Sequence, residues 1–322
     1  MGSKWWLAGG LAGATVLAWL GRVHPVLELF PNARPVLLLV AVGGLGWFVI
    51  RDARGPAAIA GAVAIVNAAY LAPFALATPD PRPEGDSTSR VLQYNIFYNN
   101  DDLEAVLDEI TTANADVVAI HELLPETWST LEPELAEQYP HRYAVPFDEF
   151  EGQPSGGMAL LSRAPLDPIE VDAQYSPPDR VLLAASTQLN GQQVRLIGLH
   201  PHASRFESRK IELREAQIEG VVELASTATT PVIVLADMNV TPTSHVYTDL
   251  LSDLGWRDPH KVAGWDATWP TWGGPLGFPI DHVLVSNDFA IHGVTTSNGG
   301  GSDHRSVVAE VSFREERTET PA

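Results

Sequence analysis

The chain changes in composition near residue 78, and this change limits what each part can fold into. Residues 1–78 contain three segments without charged side chains and rich in Ala, Gly, Leu and Val: Trp5–Leu20, Pro35–Ile50 and Gly55–Ala77. The third is long enough to cross a hydrocarbon core of about 30 Å, whereas the first two are short for such a span. We therefore predict an N-terminal transmembrane region over 1–78 with three helices, and two helices as the alternative.

Two other interpretations of residues 1–78 are a cleaved signal peptide and a buried soluble helical domain. A signal peptide does not explain the second and third apolar segments, and no clear small-residue cleavage site ends the first one. Helices of a soluble domain usually have a polar face, which these segments lack. Membrane spans fit the sequence better than either interpretation.

The basic residues that flank the apolar segments favour one orientation in a membrane. Lys4 lies with the N-terminus, and Arg51 and Arg54 lie in the short second loop, so three spans place all of them on the cytoplasmic side. Arg22 and Arg34 in the first loop weaken this bias. We predict a multi-pass protein of the cell membrane whose remaining chain lies outside the cytoplasm.

The rest of the chain is predicted to hold a linker over 79–89, a folded domain over 90–313 and a tail over 314–322. The linker belongs to the Pro-rich, charged stretch TPDPRPEGDSTS. The predicted strands are Val91–Ile96, Asp116–His121, Gly157–Ser162, Val181–Leu189, Val194–His200, Val232–Asp237, Ile280–Ser286 and Ser306–Ser312, and the predicted helices are Asp101–Ala113, Pro125–Gln138, Ser204–Ala225 and about Val246–Leu254. Because several strands follow one another too closely for a helical crossover, the fold class is α/β (α+β), with mixed sheets and helices outside.

The charge of the two parts differs strongly. Residues 1–80 hold five basic and three acidic side chains, whereas the remaining residues hold 15 and 37. An acidic body is repelled by nucleic-acid phosphates, so the composition disfavours nucleic acid as a partner, although a local basic cleft can override net charge. Cysteine is absent, which excludes disulfides, thiolate metal ligands and a cysteine nucleophile.

Polar side chains recur at the ends of the predicted strands. One such residue usually caps or turns the chain. Here oxygen and imidazole groups follow one another as Asn95, Glu122, His200, Asp237 with Asn239, Asp281, and Asp303 with His304 after the glycines 299–301. So many groups of this kind indicate chemistry at one edge of a sheet.

The ordered motifs YN, HE, LHP, ADMN, PIDHV and SDH that contain these residues resemble those of the endonuclease/exonuclease/phosphatase superfamily of metal-dependent phosphohydrolases. The resemblance spans about residues 90–313 and is specific as a set, although each motif alone is weak. It implies a four-layer sandwich of two mixed sheets between helices. It also implies hydrolysis of a phosphoester or diphosphate bond by metal-assisted attack of water on phosphorus.

The same resemblance implies a metal site. Glu122 would be the principal ligand of Mg²⁺, a hard cation that prefers carboxylate oxygens, with Mn²⁺ as the alternative ion. Asn95 and Asp303 would contact the metal or its waters. The alternative for Glu122 is an ordinary surface glutamate at a strand end.

The remaining motif residues would act on water and phosphate. Asp237 would position or deprotonate the attacking water, and Asn239 would donate to phosphoryl oxygens. Their spacing places both on one face of a strand, and a plain Asx turn is the alternative. Asp281 would fix the tautomer of His304, which would be a general base or a charge partner for the phosphate. His200 would stabilise negative charge, and a buried, hydrogen-bonded histidine is the alternative.

Four positions, in three of the motifs, depart from the residues usual in the family. His121 replaces Gln before the metal-binding Glu, Ala236 and Met238 replace Gly and Phe around the Asp, and Pro279 replaces Arg before Ile-Asp. None removes a catalytic group, so we expect activity with altered contacts around the leaving group. The glycines 299–301 are expected to give substrate and metal room to approach.

Three features favour a lipid substrate: the attachment to a membrane, the acidic charge, and an aromatic segment before Asp281. This segment holds Trp265, Trp269, Trp272, Leu276 and Phe278. Such residues suit a membrane interface or an apolar leaving group, and packing on the domain's own core is the alternative. The layout also resembles a membrane-bound bacterial branch with teicoplanin-resistance-type proteins, which implies hydrolysis of polyprenyl diphosphates.

We therefore predict an extracytoplasmic phosphatase of lipid-linked phosphate or diphosphate, whose partners are the bilayer and its lipid substrate. Arg205, Arg209 and Trp272 are candidate substrate contacts. The alternatives are, in order, a phosphodiesterase of the phospholipase C or sphingomyelinase type, a membrane-tethered nuclease, and a non-catalytic membrane sensor or binding module. Retention of all the expected catalytic groups disfavours the last.

Overall fold

The computed structural model describes residues 2–83, 87–150, 153–172, 175, 177, 180–203 and 207–314. The helices are α1 Gly2–Leu17, α2 Leu29–Asn32, α3 Arg34–Ile50, α4 Arg54–Ala75, α5 Leu103–Ala113, α6 Pro125–Leu135, α7 Ser208–Ser226, α8 His245–Leu254 and α9 His260–Ala263. Short 3-10 helices cover Pro25–Glu28 and Thr271–Leu276. The strands are β1 Ser89–Asn95, β2 Val117–Leu123, β3 His141–Val145, β4 Glu149–Phe150, β5 Gln153–Pro154, β6 Gly157–Ser162, β7 Ile169–Asp172, β8 Leu182–Leu189, β9 Gln192–Leu199, β10 Val232–Asp237, β11 Asp281–Val285, β12 Phe289–Thr296 and β13 Val307–Phe313.

Two mixed sheets form the centre of the fold. The first has the strand order β12-β13-β1-β2-β6-β3, and the second has the order β11-β10-β9-β8-β7. Only β1 with β2 and β9 with β10 pair in parallel among the named strands, and each of these pairs is joined through a helix. The predicted mixed-sheet α/β fold is therefore confirmed.

Three apolar clusters explain why the layers stack. One cluster lies between the sheets, where Val117 and Leu160 of the first sheet meet Leu196 and Leu235 of the second. The outer face of the first sheet packs on α5 and α6, and that of the second packs on α7 and α8. Buried apolar area on both faces of each sheet is typical of strands covered by helices. The result is the expected order of helix, sheet, sheet and helix.

The sequence missed three strands of these sheets. They are β3, β7 and β12, and the short β4–β5 hairpin was missed as well. Strand β12, with the sequence FAIHGVTT, contains a glycine and a bulge between Ile291 and Gly293, so its alternation of apolar and polar residues is broken. The predicted helix Ser204–Ala225 corresponds to α7, and its first three residues lie outside the described part of the chain.

The helices α1, α3 and α4 pack side by side before the sheets begin. Phe48 of α3 contacts Ala8 and Ala57 near one end, whereas Arg34 at the other end of α3 hydrogen-bonds Asn67 of α4. The chain therefore runs up through α1, down through α3 and up again through α4. Small residues dominate these contacts, as they do between helices packed in a membrane.

By length and composition, α4 can cross a membrane on its own. The pair Val26–Asn32 and Arg34–Ile50, bent by 66°, is a second candidate, and α1 with 16 residues is shorter than a usual span. This is weak support for a membrane region, so three spans stay a prediction. The helices nevertheless expose much apolar area, including Trp6 and Ile50, each 82% exposed.

A buried polar junction joins these helices to α7 and to the loop between β10 and α8. Glu28 binds Arg214 at 2.8 Å and accepts a hydrogen bond from Ser244 Oγ at 2.6 Å. Asn32 Oδ1 accepts from the backbone and the hydroxyl of Thr241, at 2.9 and 2.7 Å. Because a buried charge is costly unless an opposite charge pairs with it, the Glu28–Arg214 ion pair favours this docking geometry.

We expect Glu28→Gln to lower the free energy of unfolding by about 3 kcal/mol, because it leaves the buried Arg214 charge without a partner. Arg22 and Asp249 form an exposed ion pair at the same junction. Arg22→Ala is therefore a matched control, with an expected loss below about 1 kcal/mol. Urea unfolding of the full chain in detergent measures both, and equal losses would refute the burial argument.

The predicted linker is tied to the sandwich rather than free. Asp80 accepts hydrogen bonds from Arg257 at 2.7 Å and from the backbone N–H of Ile291 at 2.9 Å. Its own N–H donates to Ile291 O, and Asn190 Nδ2 donates to Ser87 O at 2.8 Å. These contacts hold the chain on both sides of residues 84–86 against the sheets.

Candidate active site

The sheet topology brings the predicted site residues to one edge of the sandwich. Asn95 ends β1, and His200 and Asp237 come at the ends of the parallel strands β9 and β10. Asp281 begins β11, which is antiparallel to β10, and the register places it opposite Asp237. We call this edge the catalytic edge.

Asp237 lies at the centre of the site residues Asn95, His200 and His304, which we call the cluster together with Asp237. Its Oδ2 accepts a hydrogen bond from Asn95 Nδ2 at 2.9 Å, and His200 Nε2 lies 3.2 Å from the same oxygen. His304 Nε2 lies 3.9 Å from it. Three side chains from three separate segments of the chain therefore meet around one buried carboxylate.

Asp281 and His304 form the predicted pair. His304 Nδ1 donates to Asp281 Oδ2 at 2.9 Å, and Gln93 Nε2 donates to the other carboxylate oxygen at 3.0 Å. Both members of the pair are almost fully buried. The carboxylate thus fixes the ring orientation and leaves Nε2 facing Asp237.

The pKa values follow from this arrangement. Burial disfavours charge on His304, but Asp281 and Asp237 outweigh it and raise the imidazole pKa to about 10. Burial also disfavours charge on Asp237, but His200 and His304 hold the pKa of its carboxyl well below its usual range. Burial and the nearby Arg180 lower the pKa of His200. At neutral pH this arrangement makes His304 a cation and Asp237 an anion.

Because the pKa of His304 is higher in the folded chain, the folded state keeps a proton that the unfolded state loses above about pH 6.5. Its contribution to stability is complete below that pH and is lost as the pH rises through about 10. We expect the Tm difference between the parent chain and His304→Gln to shrink between about pH 6 and pH 9.5. A difference that stays constant over this range would contradict the ion pair.

Glu122 sits on a bulge of β2. The pairing of β2 with β6 shifts between His121 and Leu123, and Glu122 has a φ of 60°. This left-handed backbone turns the side chain toward the cluster, where Oε1 lies 3.8 Å from His200 Nε2. Gly156 permits the bulge, because a Cβ there would lie 2.2 Å from the carbonyl carbon of Glu122.

Arg180 is a site residue that the sequence analysis missed. Its Nη1 lies 2.8 Å from His200 Nε2 and 4.0 Å from Glu122 Oε1. Arg180 comes just before β8, and β8 is antiparallel to β9, so the start of one strand lies beside the end of the other. A search for polar residues before strands as well as after them would have found it.

Asn239 reaches the cluster by a different route from the predicted one. Strand β10 ends at Asp237, and Asn239 has a left-handed φ of 54°. Its N–H donates to Asp237 Oδ1 at 3.0 Å, and its Nδ2 donates to Pro201 O at 3.1 Å. The argument from one strand face is therefore wrong, because an Asx turn, and not the strand, positions this side chain.

The glycines 299–301 also have a role other than the expected one. All three have positive φ values. A Cβ on Gly300 would lie 2.9 Å from Ala105 O of α5, and Tyr94 Oη donates to Gly299 O at 2.7 Å. Glycine is required here because the backbone is left-handed and packs closely against α5, rather than because a ligand needs space.

Of the predicted substrate contacts, the structure describes Arg209 and Trp272, and the segment of Trp272 also holds Trp269. Trp269 Nε1 donates to Asp303 Oδ2 at 3.0 Å, and the Trp269 ring centroid lies 6.4 Å from that of His304. Trp272 is exposed in the 3-10 helix that follows, and Arg209 is exposed in the first turn of α7. Arg205 lies outside the described residues.

The donor atoms fit a hard divalent cation near Glu122. Asp237, Asp281 and His304 offer ligand atoms within 4.8 Å of one another, but Gln93 and His304 already engage both oxygens of Asp281. Asp303 Oδ1 is buried and has no hydrogen-bond partner among the described residues. Mg²⁺ or Mn²⁺ prefers carboxylate oxygens, so Glu122 and Asp303 would hold the ion, although Glu122 Oε2 also accepts a hydrogen bond from the N–H of Tyr98 at 3.2 Å.

The comparisons with known proteins agree with this fold. The sequence profile of the Endonuclease/Exonuclease/phosphatase family matches residues 92–304. No curated protein matched the chain by sequence.

Solved structures of the same fold come from several organisms. A family member from Bacteroides vulgatus is 17% identical, with a TM-score of 0.59, over 71% of this chain and 100% of its own. The human Nocturnin catalytic domain with bound sulfate is 20% identical, with a TM-score of 0.56, over 72% and 97%. Beta toxin from Staphylococcus aureus is 19% identical, with a TM-score of 0.54, over 69% and 99%. This chain belongs to the endonuclease/exonuclease/phosphatase family and carries its hydrolase fold.

Proposed function

We propose that the chain is a membrane-anchored hydrolase that uses Mg²⁺ to cleave a P–O bond in a lipid-linked phosphate or diphosphate of the polyprenyl diphosphate type. The observation that carries the proposal is the convergence of Asn95, His200 and His304 on Asp237, beside Glu122. This arrangement combines an ionised acceptor for a water with cationic groups for a phosphoryl group.

Each side chain has a task in this reaction. The Asp237 carboxylate accepts a hydrogen bond from the attacking water and orients it. The His304 cation and the Arg180 guanidinium face the negative phosphoryl oxygens. A divalent ion at Glu122 would supply Lewis-acid stabilisation of the same group. The water oxygen forms a bond to phosphorus and keeps one of its hydrogens. The P–O bond to the leaving group breaks, and the released oxygen receives the other hydrogen.

The apolar surface of the N-terminal helices supports anchoring in a membrane. Trp5, Trp6, Leu7 and Ile50 are all exposed there, and exposed apolar side chains in such number mark interaction or membrane surfaces. Lys4 and Arg51 contact each other at one end of the helices, and the catalytic domain docks at the other end. By the positive-inside rule the catalytic domain then lies outside the cytoplasm. A reporter that works only in the cytoplasm, fused after residue 322, should be inactive. An active fusion would show that the catalytic domain lies in the cytoplasm.

The acidic catalytic domain supports a lipid rather than a nucleic-acid substrate. Its 37 acidic residues after position 80 outnumber 15 basic ones, so it forgoes the counterion release that drives binding to nucleic acids. A single phosphate or diphosphate head group needs only the few cations of the cluster. The apolar part of such a lipid stays in the bilayer.

The test compares three substrates with the full chain in detergent: polyprenyl diphosphate, sphingomyelin and single-stranded DNA, each with Mg²⁺ and with a chelator. We expect phosphate release from the diphosphate to be fastest and to stop with the chelator. Faster cleavage of sphingomyelin or DNA would overturn the substrate assignment. No hydrolysis of any of the three would favour a binding or sensor module.

A further inference from the structure

We infer that the catalytic edge faces the bilayer surface and that Trp269, Trp272 and Leu276, which we call the rim, enter the lipid interface. The substrate would then be hydrolysed while its apolar part remains in the membrane. This inference rests on the proposed function for the reaction, but the surface itself can be tested without it.

The first observation is which edge of the sandwich is docked on the helices. The junction residues Thr241 and Ser244 lie only a few positions after Asp237, in the loop that leaves the catalytic edge. The partner residues Glu28 and Asn32 lie at the end of the helix bundle where α1 finishes and α3 begins. The bundle therefore meets the sandwich at its catalytic edge and not at the opposite one.

The second observation is a further contact at the same end of the bundle. Phe74, near the end of α4, packs edge-on against Trp265, with ring centroids 5.5 Å apart. Trp265 begins the segment that continues into the rim and then into Asp281. Two separate contacts, one through Glu28 and one through Phe74, thus hold the catalytic edge against the end of the apolar helices.

The third observation is the exposure of the rim. Trp272 is 86% exposed and Leu276 is 66% exposed, more than any other large apolar side chain described in the catalytic domain. Exposing tryptophan and leucine to water is unfavourable, and their transfer to a membrane interface lowers the free energy. Trp269 connects the rim to the site, since its ring lies near His304 and its indole N–H binds Asp303.

The charge of the domain explains why this contact must be apolar. A strongly acidic domain is repelled by anionic head groups, so basic residues cannot supply the attachment. Burying a tryptophan and a leucine in the interface does not depend on ionic strength in the same way. We therefore expect the rim to contact lipid equally well at low and high salt.

Because the sequence contains no cysteine, a fluorophore can be attached at a single introduced cysteine. Trp272→Cys and Val171→Cys, each carrying one fluorophore, are compared in the full chain reconstituted into phosphatidylcholine vesicles that contain doxyl-labelled lipid. Val171 is 40% exposed on the outer strand β7 and serves as the control. We expect quenching at position 272 that salt does not reverse, and little quenching at position 171. Equal, weak quenching at both positions would overturn the inference.

An activity ratio provides the second readout. Rates are measured with polyprenyl diphosphate in the same vesicles and with water-soluble isopentenyl diphosphate. For the double variant Trp272→Ala with Leu276→Ser, the ratio of the first rate to the second should fall about tenfold, as expected from the loss of about 1.4 kcal/mol of interfacial contact. Val171→Ser should leave the ratio unchanged.

The outcomes separate the two proposals. An equal fall in both rates would mean that the rim binds the leaving group directly, and the membrane contact would be wrong. If the parent chain hydrolyses neither diphosphate, the proposed function fails, and the quenching experiment still decides whether the rim lies in the bilayer.

Discussion

Asp237→Asn should lower kcat for phosphate release on the order of 10³-fold, the largest effect of any single substitution considered. One oxygen of this carboxylate lies within 3.9 Å of polar atoms of Asn95, His200 and His304. The amide that replaces it carries no charge, so it neither balances the His304 cation nor accepts strongly from a water. The pKa of the parent carboxyl is far below neutrality, so the effect should be the same across the neutral pH range.

Asp249→Asn is the matched control, because this aspartate is exposed and pairs only with Arg22 in the described part of the chain. Its kcat should stay within about twofold of the parent value, since exposed ion pairs contribute little. If Asp237→Asn were to retain the parental kcat, the cluster would not be the catalytic centre.

Gly156→Ala should lower kcat about 10²-fold, although the substitution adds only one methyl group. The new Cβ would lie 2.2 Å from the carbonyl carbon of Glu122 and 2.3 Å from its Cα. Both are backbone atoms, so relief requires a shift of the bulge that aims the Glu122 carboxylate. A displacement of about 1 Å in a catalytic group has an effect of this size.

Gly293→Ala provides the control for the same chemical change. Gly293 lies in β12 of the first sheet, whereas Gly156 immediately precedes β6 of the same sheet, and a Cβ at Gly293 would meet no atom within 4 Å. Its kcat and Tm should match those of the parent chain. Equal activity in Gly156→Ala and Gly293→Ala would show that the Glu122 backbone is not constrained from this side.

The site residues that could be predicted from the sequence are those marked by a pattern in the residues next to them. Asn95, Glu122, His200 and Asp237 each follow an apolar run, so a strand and its polar end are visible within eight residues of sequence. The order of these runs also carried the family resemblance. The mixed sheets followed from connections too short for helices.

The residues that the sequence missed depend on partners far away in the chain. Gly156 is required because β6 pairs with the bulge at Glu122, and no pattern near residue 156 indicates it. Glu28 and Arg214 are 186 positions apart, and each alone has the appearance of an ordinary surface charge. Asp80 lies in a stretch typical of linkers, and only its contacts with Arg257 and Ile291 show that it is held.

The most direct test of the central claim is a Mg²⁺ titration of phosphate release after chelation, with the full chain, Glu122→Gln and Glu126→Gln. Glu126 is an exposed glutamate in the first turn of α6 and controls for the loss of charge. We expect Mg²⁺ to restore the parent and Glu126→Gln equally, and Glu122→Gln to need at least about tenfold more Mg²⁺ or to stay inactive. Activity that resists the chelator, or a Glu122→Gln curve that overlays the parent, would contradict a catalytic cation held by Glu122.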